Sequence, residues 1–259
     1  MSDHVYQQLR GHLATLKLAA TAEALAGALE QAEQTKPGYT RFLSDLLGVE
    51  VHAAEQRALE NRLRLTGFPQ TKTLEEFDFD AQPTLDRRLI EELATLRFVK
   101  EKANVLFIGP PGVGKTTLAI ALALKAVHAG YRVYYTTAAD LVARTAKAAV
   151  EGRWQTTMRF WGGPAVLVVN ELGYLPMAGE AASHLFQVIS RRYQHGSIVL
   201  TTNRDITSWG QIFEDTTVAA AMLDRLLHHA TVVQINGPSY RMRHHQARLD
   251  QLRDGLNNP

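Results

Sequence analysis

Two short stretches carry residue types whose spacing suits phosphate chemistry. Residues 109–117 read Gly-Pro-Pro-Gly-Val-Gly-Lys-Thr-Thr. They fit the pattern G-x-x-x-x-G-K-[ST], with an apolar run before them and a helical pattern after them. Gly109, Gly112 and Gly114 free the backbone to aim several N–H groups at one phosphate, with Pro110, Pro111 and Val113 between them. The helix that starts near Lys115 and carries Thr116 and Thr117 adds its positive dipole end. Lys115 would neutralise the β- and γ-phosphates, and the Thr116 hydroxyl would ligate Mg²⁺. The bland alternative is a Gly-rich turn before a helix; strand, loop and helix in register argue against it.

The second stretch, "AVLVVNELGYLP" (165–176), reads as a buried strand ending in the polar pair Asn170-Glu171. A nucleotide-hydrolysing protein is expected to place Asp-Glu there, because a full negative charge opposite Mg²⁺ holds the metal or its water. Asn170 keeps the shape of Asp but loses the charge, and one oxygen becomes a donor nitrogen. Its remaining oxygen would hold a metal water more weakly. Glu171 is the candidate for polarising the attacking water. Nucleotide binding is therefore expected to survive and hydrolysis to be slowed.

These residues need a scaffold. Hydrophobic residues make up 46% and charged residues 21% of the 259, ordinary values for a globular protein. A net charge of +2 is too small to argue for nucleic acid by itself. Cysteine is absent, which excludes disulfides and thiolate metal sites. The first residues lack the unbroken apolar core of a signal peptide, and no run approaches the length of a membrane span. A cytoplasmic protein is the expectation.

Leucines spaced by three and four predict a helix over residues 3–34, broken by Pro37-Gly38, and a second from about Thr40 to Leu65. "TGFPQTKTLEEFDF" (66–79) reads as a connector with a short extended piece, so a helical N-terminal domain is assigned to 1–67 and a second domain to 68–259. From residue 84 helices alternate with β-branched runs at 104–109, 132–137, 165–170, 197–203 and 231–236. The helical stretches are 86–102, 115–129, 138–160 with a break near Gly152, 179–194 and 217–228. That alternation predicts an α/β fold with a five-stranded, mostly parallel sheet flanked by helices.

Four segments, "NVLFIGPPGVGKTTLAIALA", "VLVVNELGYLP", "VLTTNRDITSWGQIF" and "LDRLLHHATVVQINGPSYR", together resemble the IstB-type helper ATPases of insertion sequences. These are relatives of the DnaC-type helicase loaders in the AAA+ superfamily. The resemblance runs over nearly the whole chain. It implies a P-loop AAA+ domain and an ATP-dependent homo-oligomer on duplex DNA that delivers an IstA-type transposase to its target. It also implies site roles. Asn203, in "TTN", matches the polar sensor that orients the attacking water. Arg225, in "LDRL", matches an arginine finger offered to a neighbouring subunit. Arg241, in "SYRMR", matches a second sensor arginine. The departure is Asn170, where the family pattern has Asp, and a full helical lid after residue 236 is not expected.

DNA contact needs cations along a phosphate path. Residues 137–161 carry Arg144, Lys147, Arg153 and Arg159 against Asp140 and Glu151. They lie where initiator-type members of the superfamily resemble one another in carrying an inserted helical element. Arg57, Arg62, Arg64 and Lys72 form a weaker second candidate, and both clusters could be solvated helix faces. Trp154 and Trp161 could stack or insert at DNA, but aromatics at such spacing are more often core, and that is the expectation. A helicase loader of the same architecture, a small-molecule P-loop kinase and a nucleotide-gated scaffold without turnover remain alternatives.

Overall fold

The computed structural model of the chain describes residues 3–174, 176, 177, 179–240 and 242. It divides into two compact units, one within residues 1–61 and one within 62–259.

The first unit is helical: α1 (Asp3–Thr15), α2 (Ala19–Thr35) and most of α3 (Tyr39–Arg64). The expected single helix over 3–34 is in fact two. Lys17 takes a left-handed conformation (φ +59°), and Leu18 N–H returns to Leu13 O at 2.9 Å. That closure is the usual device for ending a helix, but here lysine performs it without the glycine that would announce it. The turn lets Leu13, Leu25 and Leu46 share one small core with Tyr6, Leu18 and Phe42. Glu50 joins α3 to the first turn of α2: its carboxylate accepts the Thr21 N–H (3.1 Å) and Arg57 Nη2 (2.8 Å). The Arg57 hydrogen bond, then the Thr21 N–H, hold its carboxyl below the usual range.

The second unit opens with turns over 65–86, where no strand forms. The expected extended piece is reduced to one backbone bond, Tyr135 N–H to Thr66 O at 2.7 Å. Next come α4 (Arg87–Leu93) and α5 (Arg97–Lys100), separated at Leu96 (φ +62°) where one helix over 86–102 was expected. Strands and helices then alternate: β1 (Asn104–Ile108), α6 (Lys115–His128), β2 (Val133–Thr137), α7 (Ala138–Val150), α8 (Trp154–Gly162), β3 (Val166–Leu172), α9 (Glu180–Arg192), β4 (Ser197–Thr202), α10 (Trp209–Phe213), α11 (Thr216–Leu227) and β5 (Ala230–Gln234). All pairings are parallel, in the order β2-β3-β4-β1-β5. The β-branched runs form these strands because helices cover both faces of the sheet.

Leu106, Leu167, Val169 and Leu200 face a core shared with α7, α9 and α11, where Trp161 is buried. Trp161 Nε1 donates to Thr145 Oγ1 at 3.1 Å, and Trp154 packs on the edge of the same core. α6 is buried nearly all round, which explains its almost unbroken apolar sequence. α10, a short helix that buries Trp209 and Phe213, leaves no mark in the sequence pattern. Five residues are too few to show a helical period.

Arg192, 1% exposed, ends α9 inside the fold. It donates to the carbonyls of Trp161 (2.7 Å), Pro164 (3.0 Å), Ala165 (3.3 Å) and Ser197 (2.9 Å). Burial pulls its pKa down to about 10. It stays charged at neutral pH and ties the starts of β3 and β4 to the end of α8.

Candidate nucleotide-binding site

The loop between β1 and α6 leaves the carboxyl end of a central strand, the usual place for a ligand in a parallel sheet. Gly112 (φ +83°) and Gly114 (φ +97°) take conformations that side chains resist, so the backbone can curl before α6 starts at Lys115. The curl also demands room: a Cβ on Gly114 would lie 2.6 Å from the Phe77 ring, and one on Gly112 would collide with Ser239.

A cavity of about 560 Å³ opens over this loop. Its lining includes Pro111, Gly112, Val113, Gly114, Lys115, Thr116 and Thr117, together with Glu171 and Asn203. That volume suits a nucleotide-sized ligand. Gly109 and Pro110 lie at the loop's start, and their carbonyls accept Lys115 Nζ, each at 2.7 Å. A polyphosphate would offer the ammonium stronger acceptors than these.

Asn170, 3% exposed, lies just behind the cavity wall. Its Oδ1 accepts two hydroxyl protons at 2.7 Å, from Thr116 Oγ1 and from Thr201 Oγ1. The Thr116 proton is thus directed away from the cavity, leaving its lone pairs for a cation. The strand does not stop at residue 170 as expected. It continues to Leu172 through a β-bulge, with Val169 opposite Leu200 and Leu172 opposite Thr202. Two residues, Asn170 and Glu171, therefore face the single residue Thr201. Glu171 takes φ +61° and is exposed on the cavity. Burial, followed by the Glu171 and Asp140 carboxylates, pushes the nearby Tyr135 phenol up.

The rest of the lining was missed. Gln70, Phe77, Asp78 and Gln82 come from the turns before α4, while Tyr174 and Tyr240 come from loops after β3 and β5. Two loops are tied together at the rim. Thr84 Oγ1 donates to Asn236 O (2.5 Å) and accepts Asn236 N–H (3.1 Å). Gln82 Nε2 donates to Pro238 O (3.0 Å), and Tyr240 N–H reaches Gly112 O (2.9 Å). An aromatic among acidic residues in "LEEFDF" was the available signal, but no local period tells which loop will close over a distant strand end.

Arg225 is elsewhere. It sits on the last turn of α11, which Asn104 Nδ2 ties to the start of β1 by donating to Leu226 O at 2.9 Å. The phosphate loop leaves the opposite end of β1, roughly 15 Å of strand away. The Arg225 guanidinium is half-buried, 4.5 Å over the Phe186 ring, with Nη1 donating to Ala221 O at 3.3 Å. Arg241 lies outside the described residues.

The four cations chosen as a DNA path lie on α7 and α8 and the turn between them, all exposed. Arg144 lies 3.9 Å over the Phe160 ring and donates to Tyr134 Oη at 3.2 Å. Lys147 and Arg153 both reach Glu151, and Arg159 touches Thr156 at 3.5 Å. Exposed pairs of this kind are weak and leave the charges available to a polyanion.

With the site's geometry in place, its relatives are informative. Residues 11–248 match the family described as IstB-like ATP binding protein. A protein of insertion sequence IS5376 from Geobacillus stearothermophilus, named for ATP binding, is 41% identical over 92% of this chain and 95% of its own length. Its counterpart in IS21 of Pseudomonas aeruginosa is 44% identical over 89% of this chain and 87% of its own. Among solved structures, AMPPCP-bound DnaA from Aquifex aeolicus superposes with a TM-score of 0.55 at 19% identity, covering 71% of this chain and 56% of that one. DnaI gives 0.53 at 19% identity, covering 66% and 95%. Those two likenesses show a shared fold. The chain belongs to the IstB-like family of insertion-sequence ATP-binding proteins.

Proposed function

We infer that this protein is an ATPase that uses ATP and Mg²⁺ to assemble as a homo-oligomer on duplex target DNA, where it recruits or activates an IstA-type transposase. The observation that carries the reading is the Thr116–Asn170 hydrogen bond at the phosphate loop. It joins the hydroxyl suited to a cation to the strand end suited to its water, in a chain whose relatives belong to insertion sequences. Lys115 and the loop N–H groups would bind the polyphosphate, and Glu171 would polarise the attacking water. Asn203 would orient that water. Mg²⁺ would supply charge neutralisation between the phosphates, held by Thr116 and, through water, by Asn170.

The position of Arg225 supports an oligomer. It cannot reach the cavity of its own chain, yet its guanidinium is held in place by Phe186 and is suited to stabilise charge on a neighbour's γ-phosphate. Supplying that charge from a second subunit couples hydrolysis to assembly. Arg144, Lys147, Arg153 and Arg159 would follow the DNA backbone, giving sequence-independent affinity. The domain division at 67/68 would leave the N-terminal helices for partner, DNA or subunit contacts.

Asn170 favours a second reading: a scaffold that binds ATP, assembles on DNA and does not turn over. Sedimentation with duplex DNA, in the presence of ATP and of its non-hydrolysable analogue, tests the proposal. ATP-dependent assembly on DNA supports it, and indifference to DNA contradicts it.

A further inference from the structure

The bulge in β3 leaves a backbone problem. Asn170 and Glu171 lie between the paired positions Val169/Leu200 and Leu172/Thr202, so the ladder skips one bond at this point. Glu171 is forced to φ +61°, a conformation that a non-glycine residue keeps only when its surroundings impose it. Something must hold it.

Thr201, 1% exposed, stands alone opposite the bulge. Its hydroxyl accepts the Glu171 N–H at 2.9 Å and donates to Asn170 Oδ1 at 2.7 Å. Asn170 Oδ1 in turn takes the Thr116 proton at 2.7 Å. One unbroken chain of hydrogen bonds therefore runs from the backbone of Glu171, through two side chains, to the phosphate loop. A hydroxyl is required in the middle: it alone among small side chains both donates and accepts from one atom. β-branching keeps that hydroxyl in one rotamer on a central strand.

We propose that Thr201 is the positioning residue of this site. Its hydroxyl replaces the missing ladder acceptor, locks the bulge, and so aims the Glu171 carboxylate into the cavity in register with Thr116. Thr201 contributes to the cavity lining, but both hydrogen bonds of its hydroxyl go to Glu171 and Asn170, and it acts through them. This deepens the hydrolysis reading above and rests on it for its kinetic half, while its structural half stands on the bulge itself.

The test compares the full-length protein with Thr201→Val, which keeps shape and branching but removes the hydroxyl, and Thr201→Ser, which keeps the hydroxyl. ATP hydrolysis on duplex DNA is followed together with amide hydrogen exchange at Glu171. The expected result is a kcat roughly 10- to 100-fold lower in Thr201→Val, with KM for ATP within about threefold. Thr201→Ser should recover most of that loss. The Glu171 amide should exchange faster in Thr201→Val alone. A Thr201→Val protein that hydrolyses like the unsubstituted chain overturns the proposal, as does a loss that Thr201→Ser shares equally. If the unsubstituted chain does not hydrolyse ATP, the ATPase reading fails separately. Exchange at Glu171 then decides: unchanged protection in Thr201→Val overturns the positioning role, and lost protection sustains it.

Discussion

Thr116 and Asn170, 54 residues apart in the chain, meet through one hydrogen bond of 2.7 Å in which the hydroxyl donates to the amide oxygen. A carboxylate at 170 would accept the same proton and would add a charge that the amide lacks. Geometry and charge, which an aspartate would bring together at this position, are separated here. The Asn side chain preserves the arrangement, so defects in turnover should trace to electrostatics and not to a misplaced loop.

The phosphate loop gives the first prediction. Lys115→Ala should weaken ATP binding by at least about tenfold, since a charge-assisted contact to phosphate is worth roughly 1.5–3 kcal/mol. Gly114→Ala should do at least as much harm, because the added methyl meets the Phe77 ring at 2.6 Å on a backbone with φ +97°. Fluorescent-nucleotide titration reads both. Trimming the obstacle in the double variant Gly114→Ala/Phe77→Ala should recover only part of the loss, since the backbone strain persists.

Much of this site was legible in advance because its residues are local. The loop from Gly109 to Thr117 is one contiguous stretch with the strand before it and the helix after it, and Asn170, Glu171 and Asn203 sit at ends of strongly β-branched runs. The five strands and their parallel pairing follow from the same runs. What sequence could not reveal depends on distant partners. Phe77 and Tyr240 reach the cavity from loops 163 residues apart. The bulge at Glu171 exists only in the pairing of β3 with β4, and the αL turn at Lys17 carries no glycine to mark it. Nothing local to Arg192, at a helix end, shows that four carbonyls converge on it.

Arg192 supports the sheet, and Arg192→Met should destabilise the second unit by about 2–3 kcal/mol. The substitution removes a desolvated charge but strands the carbonyls of Trp161 and Pro164, and an unpaired buried acceptor costs roughly 1–3 kcal/mol. Urea denaturation should show a lower midpoint at unchanged slope. A midpoint equal to that of the unsubstituted chain contradicts the clamp.

Acid should loosen the N-terminal helices first. Glu50 is held below the usual carboxyl range by Arg57 and the Thr21 N–H, so its folded pKa lies under its unfolded value near 4.3. The stability it contributes is present above that unfolded value and is lost as pH falls through the folded one. Hydrogen exchange in α2 of the full-length protein, corrected for intrinsic rates, should rise between about pH 5 and pH 3. Glu50→Gln should already show the faster exchange at neutral pH.

Arg225→Ala should leave ATP affinity of the isolated subunit within about twofold, because the residue stands at the far end of β1 from the cavity. It should lower DNA-stimulated turnover by at least about a hundredfold, the scale of a finger supplied from a neighbour. Mixing Arg225→Ala with Lys115→Ala protein should restore part of the activity, since each supplies the half the other lacks. No recovery on mixing would place Arg225 outside the catalytic interface.

The most direct measurement is ATP hydrolysis with and without duplex DNA, on this chain and on Asn170→Asp, with assembly on DNA followed in parallel. Both forms should assemble with ATP, and Asn170→Asp should hydrolyse at least about tenfold faster on DNA, because it restores the charge opposite Mg²⁺ without moving Thr116. Equal rates in the two forms would contradict the separation of geometry from charge at residue 170. Failure of both to assemble on DNA would contradict the proposed function itself.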